Sequence, residues 1–141
     1  MNLLNYQQWD AIADAYIPLL ALILICFLIQ KLWKKQFKRS LTLLVTSIVS
    51  IVYVYGWMYL DNQFQLWPML NWDYSTPTAL AWALVWGNFF AHKAMRIPAL
   101  VSLVLYLALM DYQNYHTWGD MVSTSIVISP FIYWLFKKGK V

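Results

Sequence analysis

The chain has 141 residues, of which 62% are hydrophobic and 11% charged, and carries a net charge of +4 with a mean hydropathy of +0.52. Soluble domains carry about 25% charged residues, so a water-soluble fold is excluded and one membrane domain spanning 1–141 is expected. The basic excess does not point to nucleic acid, because the ten Lys and Arg residues sit where a membrane protein places its orientation signal, within reach of anionic lipid heads.

The first fifteen residues, MNLLNYQQWDAIADA, lack the positive start of a secretory signal, so the first apolar run is expected to stay as a span. Within them Leu3, Leu4, Tyr6, Trp9 and Ile12 give 2–12 the loose pattern of a short helix lying at the membrane interface. Apolar runs follow at about 15–33, 41–60, 77–91, 97–110 and 121–136, which predicts an all-α, five-helix transmembrane bundle. A span takes about 17–25 residues, so the last three runs are short. They need polar flanks, which are easier to accommodate inside a bundle than against lipid.

Cys26 falls mid-span as a small packing residue, and a lone cysteine permits no disulfide within the chain. Thr42, Thr46, Ser47 and Ser50 in the second run, and Ser123, Thr124, Ser125 and Ser129 in the fifth, predict close helix contacts and interhelical hydrogen bonds. Pro130 removes one backbone bond from the fifth run and predicts a kink there. The connection 61–74 holds Phe64, Leu66, Trp67, Met69, Leu70 and Trp72, as expected of a loop lying against the membrane surface. Trp57, Tyr59, Tyr74, Tyr112, Tyr115 and Trp118 fall at the same level and read as an aromatic belt.

Charge placement sets the orientation. Lys31, Lys34, Lys35, Lys38 and Arg39 follow the first run, Lys93 and Arg96 the third, and Lys137, Lys138 and Lys140 the fifth. Asp10, Asp14, Asp61, Asp73, Asp111 and Asp120 all fall in the alternate positions. Short cytoplasmic loops collect Lys and Arg, so the N-terminus is expected outside and the C-terminus in the cytoplasm. Short loops and acidic outer segments fit a bacterial cytoplasmic (inner) membrane, with the polar cluster facing the periplasm or exterior.

That outer cluster gathers Asp61, Asp73, Ser75, Thr76, Asp111, His116 and Asp120, and only there could chemistry occur. His92 belongs to the opposite end, so two-histidine ligation within one chain is excluded, and no metal or cofactor is expected. No charge lies mid-span, which speaks against a carrier or channel. His116 and Asp120 are four apart, one helical turn, so the histidine can act as nucleophile or base with the carboxylate holding its tautomer. The same aspartate can equally cap the fifth helix.

From about Leu60 to the C-terminus the chain resembles the type 2 phosphatidic acid phosphatase (PAP2) superfamily, whose motifs are K-x6-R-P, P-S-G-H, and S-R-x5-H-x3-D. His116 and Asp120 match H-x3-D; Pro77 and Thr78 match the P-S at the start of a span two helices earlier; Trp67-Pro68 stands where R-P is expected. The resemblance implies a PAP2-like core over 60–141, a histidine that attacks phosphorus, and an aspartate that orients it. In that register Leu60, Trp67, Leu80 and Met110 replace the family's lysine, arginine, second-motif histidine and third-motif arginine. Phosphoryl transfer depends on such cations to stabilise charge on the equatorial oxygens.

Three readings follow. The leading one is a PAP2-like accessory membrane protein that lacks the usual phosphatase activity and binds a lipid or lipid phosphate head group. Trp67, Trp72, Asp73, Thr78, Tyr115 and Trp118 are its candidate binding residues. The second is a lipid phosphate or pyrophosphate phosphohydrolase with an altered outer site using His116 and Asp120. The third is a structural subunit held by a membrane protein partner.

Overall fold

The structure, a computed structural model, describes residues 6–139. These form five helices: α1 (Tyr6–Trp33), α2 (Phe37–Phe64), α3 (Thr76–Ala91), α4 (Arg96–Tyr112) and α5 (Trp118–Gly139). Short 3-10 turns at Pro68–Leu70 and Lys93–Met95 flank α3. Four of the helices, α1, α2, α4 with its preceding turn, and α5, are long and apolar enough to cross a membrane.

The exception is α3. Its 16 residues reach about 24 Å at 1.5 Å per residue, less than a hydrocarbon core of about 30 Å. It is also the helix that packs against each of the other four. Nine of its residues are buried, among them Ala79, Ala81, Ala83 and Gly87, and these small side chains let its neighbours approach closely. A Cβ on Gly87 would lie 3.0 Å from Leu24 and 3.6 Å from Phe136, so α1 and α5 close on α3 at this point. The bundle is four long helices around a short central one.

Lipid-facing surfaces are correspondingly apolar. Leu22, Ile25, Val52, Val104, Leu105 and Ile126 are all exposed, an arrangement that hydrocarbon favours and water would oppose.

Four expectations need revision. Residues 6–12 continue α1 without a break instead of forming a separate interfacial helix, and 2–5 of that segment lie outside the described residues. Cys26 is exposed on α1 and packs no interior. The second connection is shorter than expected, because α2 runs on to Phe64 and takes Asp61 into its last turns. The fifth helix is longer than its apolar run and remains helical through Pro130. Three of the four connections turn on residues in the left-handed region, Lys35, Gln65 with Asn71, and Asn114, and of these residue types asparagine tolerates that conformation best; the connection from α3 to α4 has none.

The hydroxyl groups of the two polar-rich helices behave differently. On α2, Thr42, Ser47 and Ser50 donate back to the carbonyls of Lys38, Leu43 and Thr46, so they cross to no other helix. On α5 all four cross. Trp67 Nε1 donates to Ser123 Oγ at 2.9 Å, Trp82 Nε1 to Ser125 Oγ at 2.8 Å, and Trp86 Nε1 to Ser129 Oγ at 3.0 Å. The backbone N–H of Ser75 donates to Thr124 Oγ1 at 3.1 Å. An indole N–H left without an acceptor in hydrocarbon is costly, and α5 supplies an acceptor at each level.

Removing one of these acceptors is expected to destabilise the bundle. Ser125→Ala should cost about 0.6–1.7 kcal/mol through its loss of the Trp82 contact, read as unfolding of the purified protein in mixed micelles. In the Trp82→Phe background the same change should cost markedly less, because no indole donor remains to be orphaned.

Candidate functional site

Asp120 is the third residue of α5 and is buried, with its helix starting just after Thr117. Its Oδ2 accepts the backbone N–H of Thr117 at 2.8 Å, while Thr117 Oγ1 accepts the backbone N–H of Asp120 at 3.3 Å. This reciprocal pair is a capping box, satisfying donors that the first turn of a helix otherwise leaves open. Asp120 Oδ1 accepts the backbone N–H of Asp73 at 2.8 Å, tying the connection before α3 to the start of α5. Both carboxylate oxygens therefore hold backbone.

His116 stands 3.7 Å from Asp120, Nδ1 to Oδ2. That is ion-pair range for an imidazolium, and beyond hydrogen-bond length. The imidazole is about one-fifth exposed and lines a cleft of about 190 Å³ together with Asp14, Pro77, Tyr106, Met110 and Tyr115. Tyr115 donates its hydroxyl to Asp10, joining the start of α1 to the connection before α5.

Beside the cleft runs a more apolar groove of about 420 Å³ between α1 and α4, lined by Trp9, Ile12, Leu105 and Leu109. Tyr106 lines both spaces, stacked on Tyr16 with ring centroids 4.2 Å apart. Tyr16 is in turn hydrogen-bonded to Ser102 at 3.0 Å, so the wall between cleft and groove is built from both helices. A polar cleft thus adjoins a greasy slot on the flank of the bundle.

The residues singled out in the sequence divide into two sets. His116 and Tyr115 line the cleft. Trp67 is 5% exposed, wedged edge-on between Trp57 and Tyr74, with its backbone N–H on Asp61 at 2.8 Å; it is a core residue and not part of a surface loop. Thr78 is fully buried, bonded to Ser75 at the start of α3. Trp72 lies over Gly119, where a Cβ would strike its indole. Asp73 and Trp118 are exposed and line none of these spaces.

Asp14, Tyr106 and the groove were not found from the sequence. Asp14 read as a flank of the first span, and Tyr106 lies inside an apolar run with no motif around it. The one available signal was that α1 and α4 each place an aromatic residue, Tyr16 and Tyr106, about one to two turns in from their acidic ends. At the basic end His92 stacks on Phe27 and its Nδ1 accepts the backbone N–H of Ala94, remote from the cleft. Among the described residues no three His, Cys, Asp or Glu side chains converge as metal ligands.

Two expected outcomes separate scaffolding from chemistry here. Asp120→Ala should lower stability by about 1–2 kcal/mol for the cap alone, while His116→Ala should stay within about 0.5 kcal/mol of the parent; thermal unfolding in detergent reads both. Tyr74 gives a pH test. It is buried with its hydroxyl on the Val54 carbonyl at 2.9 Å, and burial, with added repulsion from Tyr53 and Asp61, pushes its phenol well above the ordinary value. The neutral form is favoured in the fold, so this contribution is complete below the unfolded pKa of about 10 and lost as pH rises from there toward the folded value. Alkaline unfolding should accordingly be less steep in Tyr74→Phe than in the parent.

Comparison with protein-family models, curated proteins and solved structures finds no match to this chain.

Proposed function

We propose that the chain is a PAP2-like integral membrane protein that binds a lipid at its acidic end without the phosphohydrolase activity of that superfamily. The observation that carries this reading is the cleft beside His116, which has an aspartate in its wall, no Lys or Arg, and a lipid-facing groove next to it.

Kinship with PAP2 is supported by the meeting of two separated runs. Pro77 of the second-motif-like run and His116 of the third line the same cleft, and the bonds from Asp73 to Asp120 and from Ser75 to Thr124 hold those runs together. Loss of phosphatase chemistry is supported by Met110, which stands at the third motif's arginine position and lines the cleft with a thioether. A missing donor of this kind typically costs about a hundred- to thousandfold in rate. The basic residues, gathered at the other end, orient the chain with its acidic end outside, in a bacterial cytoplasmic membrane.

The hydrolase reading has one observation in its favour: the imidazole of His116 faces open space within ion-pair range of a carboxylate. Both readings meet in one experiment. Detergent-purified protein is expected to carry lipid through size exclusion and to release no phosphate from lipid phosphates or pyrophosphates, with or without divalent metal ions. Turnover abolished by His116→Ala would overturn the non-catalytic reading, and protein that retains no lipid under any condition would overturn lipid binding.

A further inference from the structure

We infer that the lipid taken by this cleft bears a zwitterionic head group ending in an ammonium, with Asp14 as the anchor of that ammonium and an acyl chain in the groove between α1 and α4. The inference rests on the lipid-binding reading above and adds the chemistry of the head group.

Charge is the first reason. All six acidic residues belong to the cleft end of the bundle and, among the described residues, all Lys and Arg to the other. Asp14 lines the cleft, and among the described residues no hydrogen bond or ion pair engages its carboxylate. The other nearby acids are differently placed: Asp120 holds backbone, and Asp10 takes the Tyr115 hydroxyl. A phosphate approaching Asp14 would meet like charge with no cation beside it, whereas an ammonium would find a carboxylate free to accept from it.

The backbone and the aromatic walls add to this. Position 18 of α1 is proline, so the carbonyl of Asp14 lacks the N–H that would meet it four residues on. One residue thus offers two kinds of acceptor to a group with several donors. Tyr106 and Tyr115 line the same cleft, and aromatic rings attract ammonium ions through their faces. Across Tyr106 the groove presents Ile12, Leu105 and Leu109, which fit a hydrocarbon chain and offer nothing to a soluble amine.

The test is native mass spectrometry of the full chain in detergent, with an equimolar mixture of phosphatidylethanolamine, phosphatidylglycerol and phosphatidic acid of identical acyl chains. The phosphatidylethanolamine adduct is expected to exceed each anionic lipid about tenfold, equivalent to about 1.4 kcal/mol. Asp14→Asn should bring the three to near parity with an unchanged unfolding temperature, since Asp14 is an exposed side chain. Leu105→Trp, which fills the groove, should lower all three adducts together, and free ethanolamine in excess should displace none of them. Retention without discrimination, preference for an anionic lipid, or selectivity unaltered in Asp14→Asn would overturn the head-group assignment while leaving lipid binding in place. Retention of no lipid by the parent chain would overturn both.

Discussion

In hydrocarbon no water is available to accept from a buried N–H, and the fold is arranged around that constraint. Helix α5 carries Ser123, Thr124, Ser125 and Ser129, and each oxygen takes a donor from the connection before α3 or from α3 itself. Two of those donors, Trp82 and Trp86, belong to α3, which carries large half-buried rings at its contact with α5 and still leaves neither indole N–H open. The serines do not lose their own donors in the exchange: Ser123 and Ser125 give theirs to the carbonyls of Asp120 and Met121 on α5. Intrahelical donation and interhelical acceptance by the same hydroxyl is what lets a short, Trp-rich helix occupy the centre of the bundle.

The same arrangement explains why a helix too short to cross the membrane is not a defect. Surrounded on all sides, α3 exchanges span length for packing, and its ends are completed by its neighbours. At the acidic end Ser75 caps α3, with Thr78 N–H donating to its Oγ at 3.4 Å. Deeper in, buried Asn88 donates to the carbonyls of Leu20 and Leu84 at 3.0 and 2.9 Å, tying α1 to α3 where Gly87 allows close approach. Polar side chains thus fasten two helices, α1 and α5, to the one that cannot reach both surfaces.

Helix number and helix class were legible in the sequence because both depend on runs of apolar residues and on where charge interrupts them. The α5 hydroxyls were also legible, since small polar residues inside an apolar run have few uses besides packing and bonding. On α2, Thr42, Ser47 and Ser50 looked the same and bond back to their own helix, while Ser40 donates to the Leu28 carbonyl of α1, a choice made by which partner faces them and not by residue type. Helix ends were less legible. An amphipathic start such as 6–12 and a polar end such as Asp61 can continue a helix or leave it, and tertiary contacts decided: Asp61 stayed in α2, where its carboxylate receives the Trp67 N–H. The cleft was half legible, through His116 and Tyr115. Asp14 and Tyr106 come from helices that meet only in the fold, and no spacing within the chain could join them.

The His116 to Asp120 spacing carries a more general lesson about such pairs. An aspartate that orients a catalytic histidine gives an oxygen to the imidazole at hydrogen-bond length. Here each oxygen has a nearer backbone donor at 2.8 Å, and the imidazole lies 3.7 Å away. On the proposed kinship with PAP2 this accounts for which motif residues remain. An aspartate that caps one helix and tethers the start of another contributes to stability whether or not a phosphate is ever bound. Lysines and arginines that only cradle a phosphate have no such second use, and without that substrate they would be unpaired charges in a partly buried cleft. A histidine four residues ahead of an aspartate at a helix start therefore reports a capping box as readily as a catalytic pair, and the destination of the carboxylate's lone pairs is what distinguishes them.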